Sequence, residues 1–325
     1  MKHLFLILLL TGFIKVHAQD KIPYTTKTYS SSSVKNVAVT TSGGYINVIG
    51  DASGNVIVEI YVQGNNGKNN LSPEEITQRL NNYVLETGVS GNTLYAHAKR
   101  KNEFKSWDNN GLSISFKIHV PMNVGTDLKT SGGSISLSNL NGSQSFKTSG
   151  GSLSIKDISG NIDGKTSGGS IEAINCKGTT IDLMTSGGSI QLEQLSGNVK
   201  AHTSGGSIKA QDISGEMNAN TSGGSIHLEG SFGNVEAYTS GGSINAVFKK
   251  IASAARLKTS AGGIRIELPQ SQGLSFDLKG NRVDLGAANN IQVNSGKEYA
   301  KGTINGGGAL VEASTSAGSV KVAFR

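Results

Sequence analysis

A six-residue phrase, Thr-Ser-Gly-Gly-Ser-Ile, returns along this chain at an almost constant interval, and few folds can accommodate it. Copies begin at Thr130, Thr148 (with Leu153 in the last place), Thr166, Thr185, Thr203, Thr221 and Thr239. Their separations are 18 residues, except for one of 19 between Thr166 and Thr185. Degenerate copies stand outside this run, as Thr41-Ser42-Gly43-Gly44-Tyr45-Ile46, Thr259-Ser260-Ala261-Gly262-Gly263-Ile264 and Thr315-Ser316-Ala317-Gly318-Ser319-Val320. A period of this length marks a repeat architecture in which each unit buries its apolar face against its neighbours.

The interior of one repeat says what kind. From Thr203 to Asn220 the apolar residues are Ile208, Ala210, Ile213, Met217 and Ala219. Ile208/Ala210 and Met217/Ala219 each alternate with polar residues, the period-two pattern of a strand with one buried face. The parity changes across Gly223-Gly224, where backbone freedom permits a corner or bulge. Gly215 marks a second turn, repeated as Gly142, Gly160, Gly178, Gly197 and Gly233. The fold expected is therefore all-β: a single-chain parallel β-helix, or β-solenoid, of about 18-residue coils. Ile135, Leu153, Ile171, Ile190, Ile208, Ile226 and Ile244 would form one inward ladder, and the repeated Thr and Ser would form hydroxyl ladders at the corner. A hexapeptide β-helix would need an aliphatic residue at every sixth position, which this spacing lacks. The usual handedness of parallel crossovers favours a right-handed coil.

Both ends depart from the pattern. Met1-Lys2-His3, the apolar run Leu4–Ile14 and the small residues of Val16-His17-Ala18 read as a signal peptide cut before Gln19. An exported protein of the periplasm, cell surface or medium is expected, with residues 1–18 removed and 19–325 forming one solenoid domain. No later stretch is long and apolar enough to span a bilayer. Residues 22–128 read as irregular N-terminal coils, 129–264 as the regular stack and 265–325 as irregular C-terminal coils. Ser72-Pro73-Glu74-Glu75 supplies an N-cap, a first-turn proline and a capping-box glutamate, which predicts an inserted helix over 73–86.

Composition narrows the chemistry. The formal charge of +7 becomes +5 once Lys2 and Lys15 leave with the signal peptide, 7 − 2 = 5, a modest balance that allows anionic partners without demanding them. No nucleic-acid partner is expected, and no cofactor motif is present. The single cysteine, Cys176, takes the place of a repeat Leu or Ile, so it is expected to be buried and structural. The serines beside glycine pairs recur in every coil, which suits structure and not a strained catalytic elbow. A calcium-binding β-helix would carry aspartate after its glycines, where Ser and Ile stand here, and the six histidines show no metal-ligand spacing.

The copies of TSGGSI at 18-residue spacing, Val120-Pro121 ahead of the regular coils and the closing Thr315–Val320 copy resemble a bacterial family of candidate adhesins. The resemblance covers about Val34 to Arg325. It implies a β-helical domain of unknown biochemical function, exported and often at the cell envelope, and it supplies no catalytic residues. Two surface features suit ligand binding. Lys129, Lys147 and Lys165 precede the threonine in three consecutive coils, and Lys99, Arg100, Lys101, Phe104 and Trp107 form a basic loop with two aromatics. Either suits an envelope or host glycan or a surface protein. The function expected is a non-enzymatic, adhesin-like binding or scaffold module. The alternative is a carbohydrate-active β-helix enzyme, a polysaccharide lyase or hydrolase, using Asp163, Asp182 and Lys165.

Overall fold

The computed structural model describes residues 22–51, 54–65, 71–101 and 111–325. The signal peptide and the cut before Gln19 lie outside the described residues.

The repeats wind into two parallel columns of strands that share one core. In the first column Ile46 pairs with Ile135, and the ladder continues through Leu153, Ile171, Ile190, Ile208, Ile226 and Ile244 to Ile264 and Val320. Every member is buried, and the expected inward ladder is borne out residue for residue. In the second column Leu128, Phe146, Gly164, Leu183, Ala201, Ala219, Ala237, Leu257 and Ala313 lie side by side. Side-chain volumes compensate between neighbouring coils. A Cβ on Gly164 would stand 2.5 Å from a ring carbon of Phe146, so the glycine makes room for the large ring. Cys176 sits in register between Ile158 and Leu195, buried as an aliphatic residue would be.

The threonine of the motif is buried in every copy, and its hydroxyl joins two coils. Thr203 Oγ1 donates to the Gly188 carbonyl (2.8 Å) and accepts from the Gly206 N–H (3.3 Å). The pattern recurs from Thr130 to Thr315. The closing serine works differently: Ser207 N–H donates to Ser189 Oγ (3.2 Å), and the same bond repeats in later coils. The hydroxyls therefore ladder through backbone groups and not with one another, a correction to the expectation. The backbones pass so closely at this corner that main-chain donors and acceptors are the nearest partners.

That closeness explains the two glycines separately. A Cβ on the second glycine, Gly206, would stand 2.1 Å from the Gly188 carbonyl oxygen, an impossible contact. On the first, Gly205, it would meet the nearest atom at 3.5 Å, an ordinary contact. The chain's own degenerate copies agree, since Ala261 and Ala317 occupy the first place while Gly262 and Gly318 keep the second. The opposite corner uses a left-handed residue in five coils, Asn139, Asp157, Asn175, Gln194 and Asp212, with φ between 51° and 58°. Asn and Asp tolerate this conformation best.

The ends depart from the expected coils. At the N-terminal end Asn36–Thr40 and Ile46–Asp51 stack directly on the regular coils. Thr93–Arg100 and Leu112–Pro121 pair with these two in parallel, then carry antiparallel partners beyond them. Those partners are Tyr83–Ser90 on Thr93–Arg100, and Asn55–Gly64 followed by Thr25–Ser30 on Leu112–Pro121. At the C-terminal end Ala309–Thr315 and Ser319–Phe324 stack on the 254–268 coil, while Leu274–Lys279, Tyr299–Ile304 and Ile291–Ser295 form an antiparallel group outside it. The helix is also shorter than expected. It runs Pro73–Leu80, capped by Ser72 as anticipated, and residues 83–86 belong to the strand Tyr83–Ser90. Asn81-Asn82 ends the helix, and the β-favouring Tyr83-Val84-Leu85 then joins an eight-residue antiparallel ladder.

Candidate functional site

The residue just before each motif threonine faces outward, and parallel pairing sets these residues in a single file. Lys129, Lys147 and Lys165 are direct neighbours, as the sequence implied. The file continues through Met184, His202, Asn220 and Tyr238 to Lys258 and Ser314. Each member is followed by a buried threonine and then an exposed serine, so a furrow floored by threonine runs between the file and a ridge of serines.

Two hollows lie in this furrow, and a third adjoins the file without touching the motif threonines or the serine ridge. One, of about 200 Å³, includes Lys147, Lys165, Met184 and His202. The next, of about 460 Å³, includes His202, Asn220, Tyr238 and Lys258. A third, of about 220 Å³, takes over at Tyr238 and Lys258 and adds Arg256, Asp277 and Lys279. No carboxylate lines the first two. Met184 and Tyr238 stand out, because they are large, largely apolar, 38% and 37% exposed, and placed among polar neighbours.

The three lysines are not equivalent. Two residues before each, on the same face, stand Asp127, Ser145 and Asp163. Lys129 is therefore paired with Asp127 (2.9 Å) and Lys165 with Asp163 (2.9 Å). The hydrogen bond that Lys165 donates to Asp163 is the main cause that raises the Lys165 pKa, with the charge of Asp182 adding to it. Lys147 has serine in that place, and among the described residues no carboxylate pairs with it.

The basic loop is only partly in view. Phe104 and Trp107 lie outside the described residues. Lys99 and Arg100 close the strand Thr93–Arg100, each with partners of its own. Lys101 donates from Nζ to the Asn81 carbonyl (2.9 Å), where a cation complements the C-terminal end of the helix. Asn36–Thr40 lies between this strand and the one that ends in Lys129.

Asp163 and Asp182 stand side by side on adjacent strands. Asp163 and Lys165 form an ion pair on the open sheet, with side chains 50% and 43% exposed. Burial, which tunes a carboxylate for acid–base work, is missing there. Among the described residues no group of three His, Cys, Asp or Glu is placed to hold a metal ion. Cys176 is pushed up to about 11, first by burial, so its thiol stays protonated at neutral pH.

A family model described as Toastrack DUF4097 matches residues 66–323. The chain belongs to this Toastrack family. The match bears out the resemblance carried by the TSGGSI copies. Two solved structures align along nearly the whole chain at low identity. A candidate cell adhesion protein from Clostridium sporogenes is 10% identical, with 93% of this chain and 99% of that one covered and a TM-score of 0.20. A candidate adhesin from Bacteroides fragilis is 14% identical over 92% and 96%, with a TM-score of 0.36. Both superpose loosely, so the solenoid assignment rests on the strand registers and the family match. No curated protein matches the chain. No helix among the described residues is long and apolar enough to cross a membrane.

The furrow escaped sequence reasoning beyond its three lysines. The signal was present in the residue before each motif threonine: a file reading Lys, Lys, Lys, Met, His, Asn, Tyr, Lys does not resemble an arbitrary solvated face.

Proposed function

We propose that this Toastrack protein is an exported, non-catalytic β-solenoid that serves as an adhesin-like binding or scaffold module at the cell envelope. The observation that carries the reading is the furrow. It is shallow, extended along the stack and built on a rigid backbone, a shape that suits laying a long partner across many coils. An enclosed catalytic pocket would concentrate converging polar groups in one place. The N-terminal charge, apolar run and small residues before Gln19 support export.

Two measurements test the proposal. Intact mass of protein recovered from envelope or medium should correspond to a chain starting at Gln19, and full-length protein confined to the cytoplasm would overturn export. The purified mature chain on a glycan array should bind without turnover. Product analysis showing cleavage of a bound glycan would replace the module with the enzyme reading and direct attention to Asp163, Asp182 and Lys165.

A further inference from the structure

Resting on that reading, we propose that the furrow binds an extended polysaccharide carrying intermittent carboxylates, aligned with the stack at about one sugar per coil. Successive coils are spaced at about 4.8 Å, close to the advance of one sugar in an extended chain. Each coil offers an exposed serine hydroxyl on one rim and a longer side chain on the other, a periodic set of partners for periodic sugar hydroxyls.

Charge and apolar surface restrict the ligand further. From Lys147 to Lys258 there are six coil steps, roughly 29 Å at the usual strand spacing. Lysines stand towards the ends of this span, and Met184, His202, Asn220 and Tyr238, with no lysine or arginine, lie between them. A densely charged polymer such as a nucleic acid would place phosphates over that middle, which has no lysine or arginine. A neutral glycan would leave Lys147 unused, although it is the one lysine of the three with no paired carboxylate. Tyr238 presents a ring against which the apolar face of a sugar can stack, and no carboxylate lines the first two hollows.

The test uses the mature chain and three probes: hyaluronan, which alternates acidic and neutral sugars, neutral dextran, and polyglutamate as a polyanion without sugars. Calorimetry should show hyaluronan binding best. Tyr238→Ala should weaken it about tenfold, the factor that ~1.4 kcal/mol represents. Lys147→Ala should weaken it severalfold, whereas Lys209→Ala on the other column should leave it unchanged. Both furrow residues are exposed, and unchanged thermal unfolding would confirm that the variants fold. Hyaluronan binding that survives both substitutions overturns the furrow as the site. Equal binding of polyglutamate, insensitive to Tyr238→Ala, overturns sugar recognition. Failure to bind hyaluronan while another array glycan binds overturns the ligand class and leaves the binding module standing. Failure to bind any glycan or any envelope material sinks both.

Discussion

The regular coils and the two ends of this molecule solve the same problem in different ways. Between Thr130 and Ile264 the chain stacks on itself in parallel, and the contact that repeats is backbone on backbone at the second motif glycine. At the ends the chain turns back and pairs antiparallel, with side chains of varied size and no glycine column. Parallel stacking at such close range demands the same small residue in every coil and so writes itself into the sequence. Antiparallel capping demands only alternation, which many sequences satisfy. The repeat is thus a record of a steric constraint, and it stops where the constraint stops.

The sharpest way to break this comparison is to put a methyl group on each glycine in turn. Gly206→Ala should cost about 3 kcal/mol or prevent folding, since the added carbon has no space and its neighbours are main chain. Gly205→Ala should lie within about 0.5 kcal/mol. Equal melting temperatures for the two variants would show that the glycine column does not govern the stack.

Deletion tests the same idea at the scale of a coil. Removing Thr203 to Asn220 takes out one whole turn and sets Ile190 beside Ile226, so the shortened chain should fold. Removing only Thr203 to Gln211 leaves half a coil and misaligns both columns. Single residues give a parallel readout: Ile208→Asp places a carboxylate in the buried ladder at a cost of several kcal/mol, while the exposed Lys209→Asp should cost about 0.5 kcal/mol at most. Chemical denaturation that ranked either pair the other way would exclude the two-column arrangement.

Hydroxyls offer a finer contrast. Thr203→Val keeps the shape but leaves the buried Gly188 carbonyl without its donor, at about 1–3 kcal/mol. Ser207→Ala, at an exposed corner, should lose about 0.5 kcal/mol or less. The smallest expected signal concerns Cys176. Burial raises its pKa to about 11, so Ellman's reagent at pH 8 should label the unfolded chain and leave the native one untouched. The linkage runs in the same direction: the folded state keeps the thiol proton longer, so this contribution to stability is present below the ordinary thiol value and fades as pH rises towards 11. Rapid native labelling would mean that the coil around Cys176 opens.

Legibility in the sequence followed the same division. The inward ladder could be assigned because one apolar residue per period admits a single register. The Lys129–Lys147–Lys165 file followed from that register alone. The helix could be placed at Ser72-Pro73 because capping is local chemistry, but its end could not, because Tyr83–Ser90 takes its conformation from pairing with a distant strand. The antiparallel ends were read as coils because alternation does not reveal the direction of a partner. At the corner, Asn, Asp and Gln in one file hid a shared left-handed backbone under unlike side chains. The furrow depends on which outward residues rise above their neighbours, a property that appears only when coils are laid side by side.

The arrangement at the C-terminal end also sets an order of assembly. The antiparallel group of Leu274–Lys279, Ile291–Ser295 and Tyr299–Ile304 is reached by a growing or translocating chain before Ala309–Phe324, yet it lies farther from the regular coils. Its pair of Ile291–Ser295 with Tyr299–Ile304 can form early, because only residues 296–298 close it. It has nothing to dock upon until residues 309–324 have slid in against the 254–268 coil. The segment 309–324 is therefore a keystone, and a chain lacking it would carry an antiparallel group with no seat and a bare parallel edge on the stack.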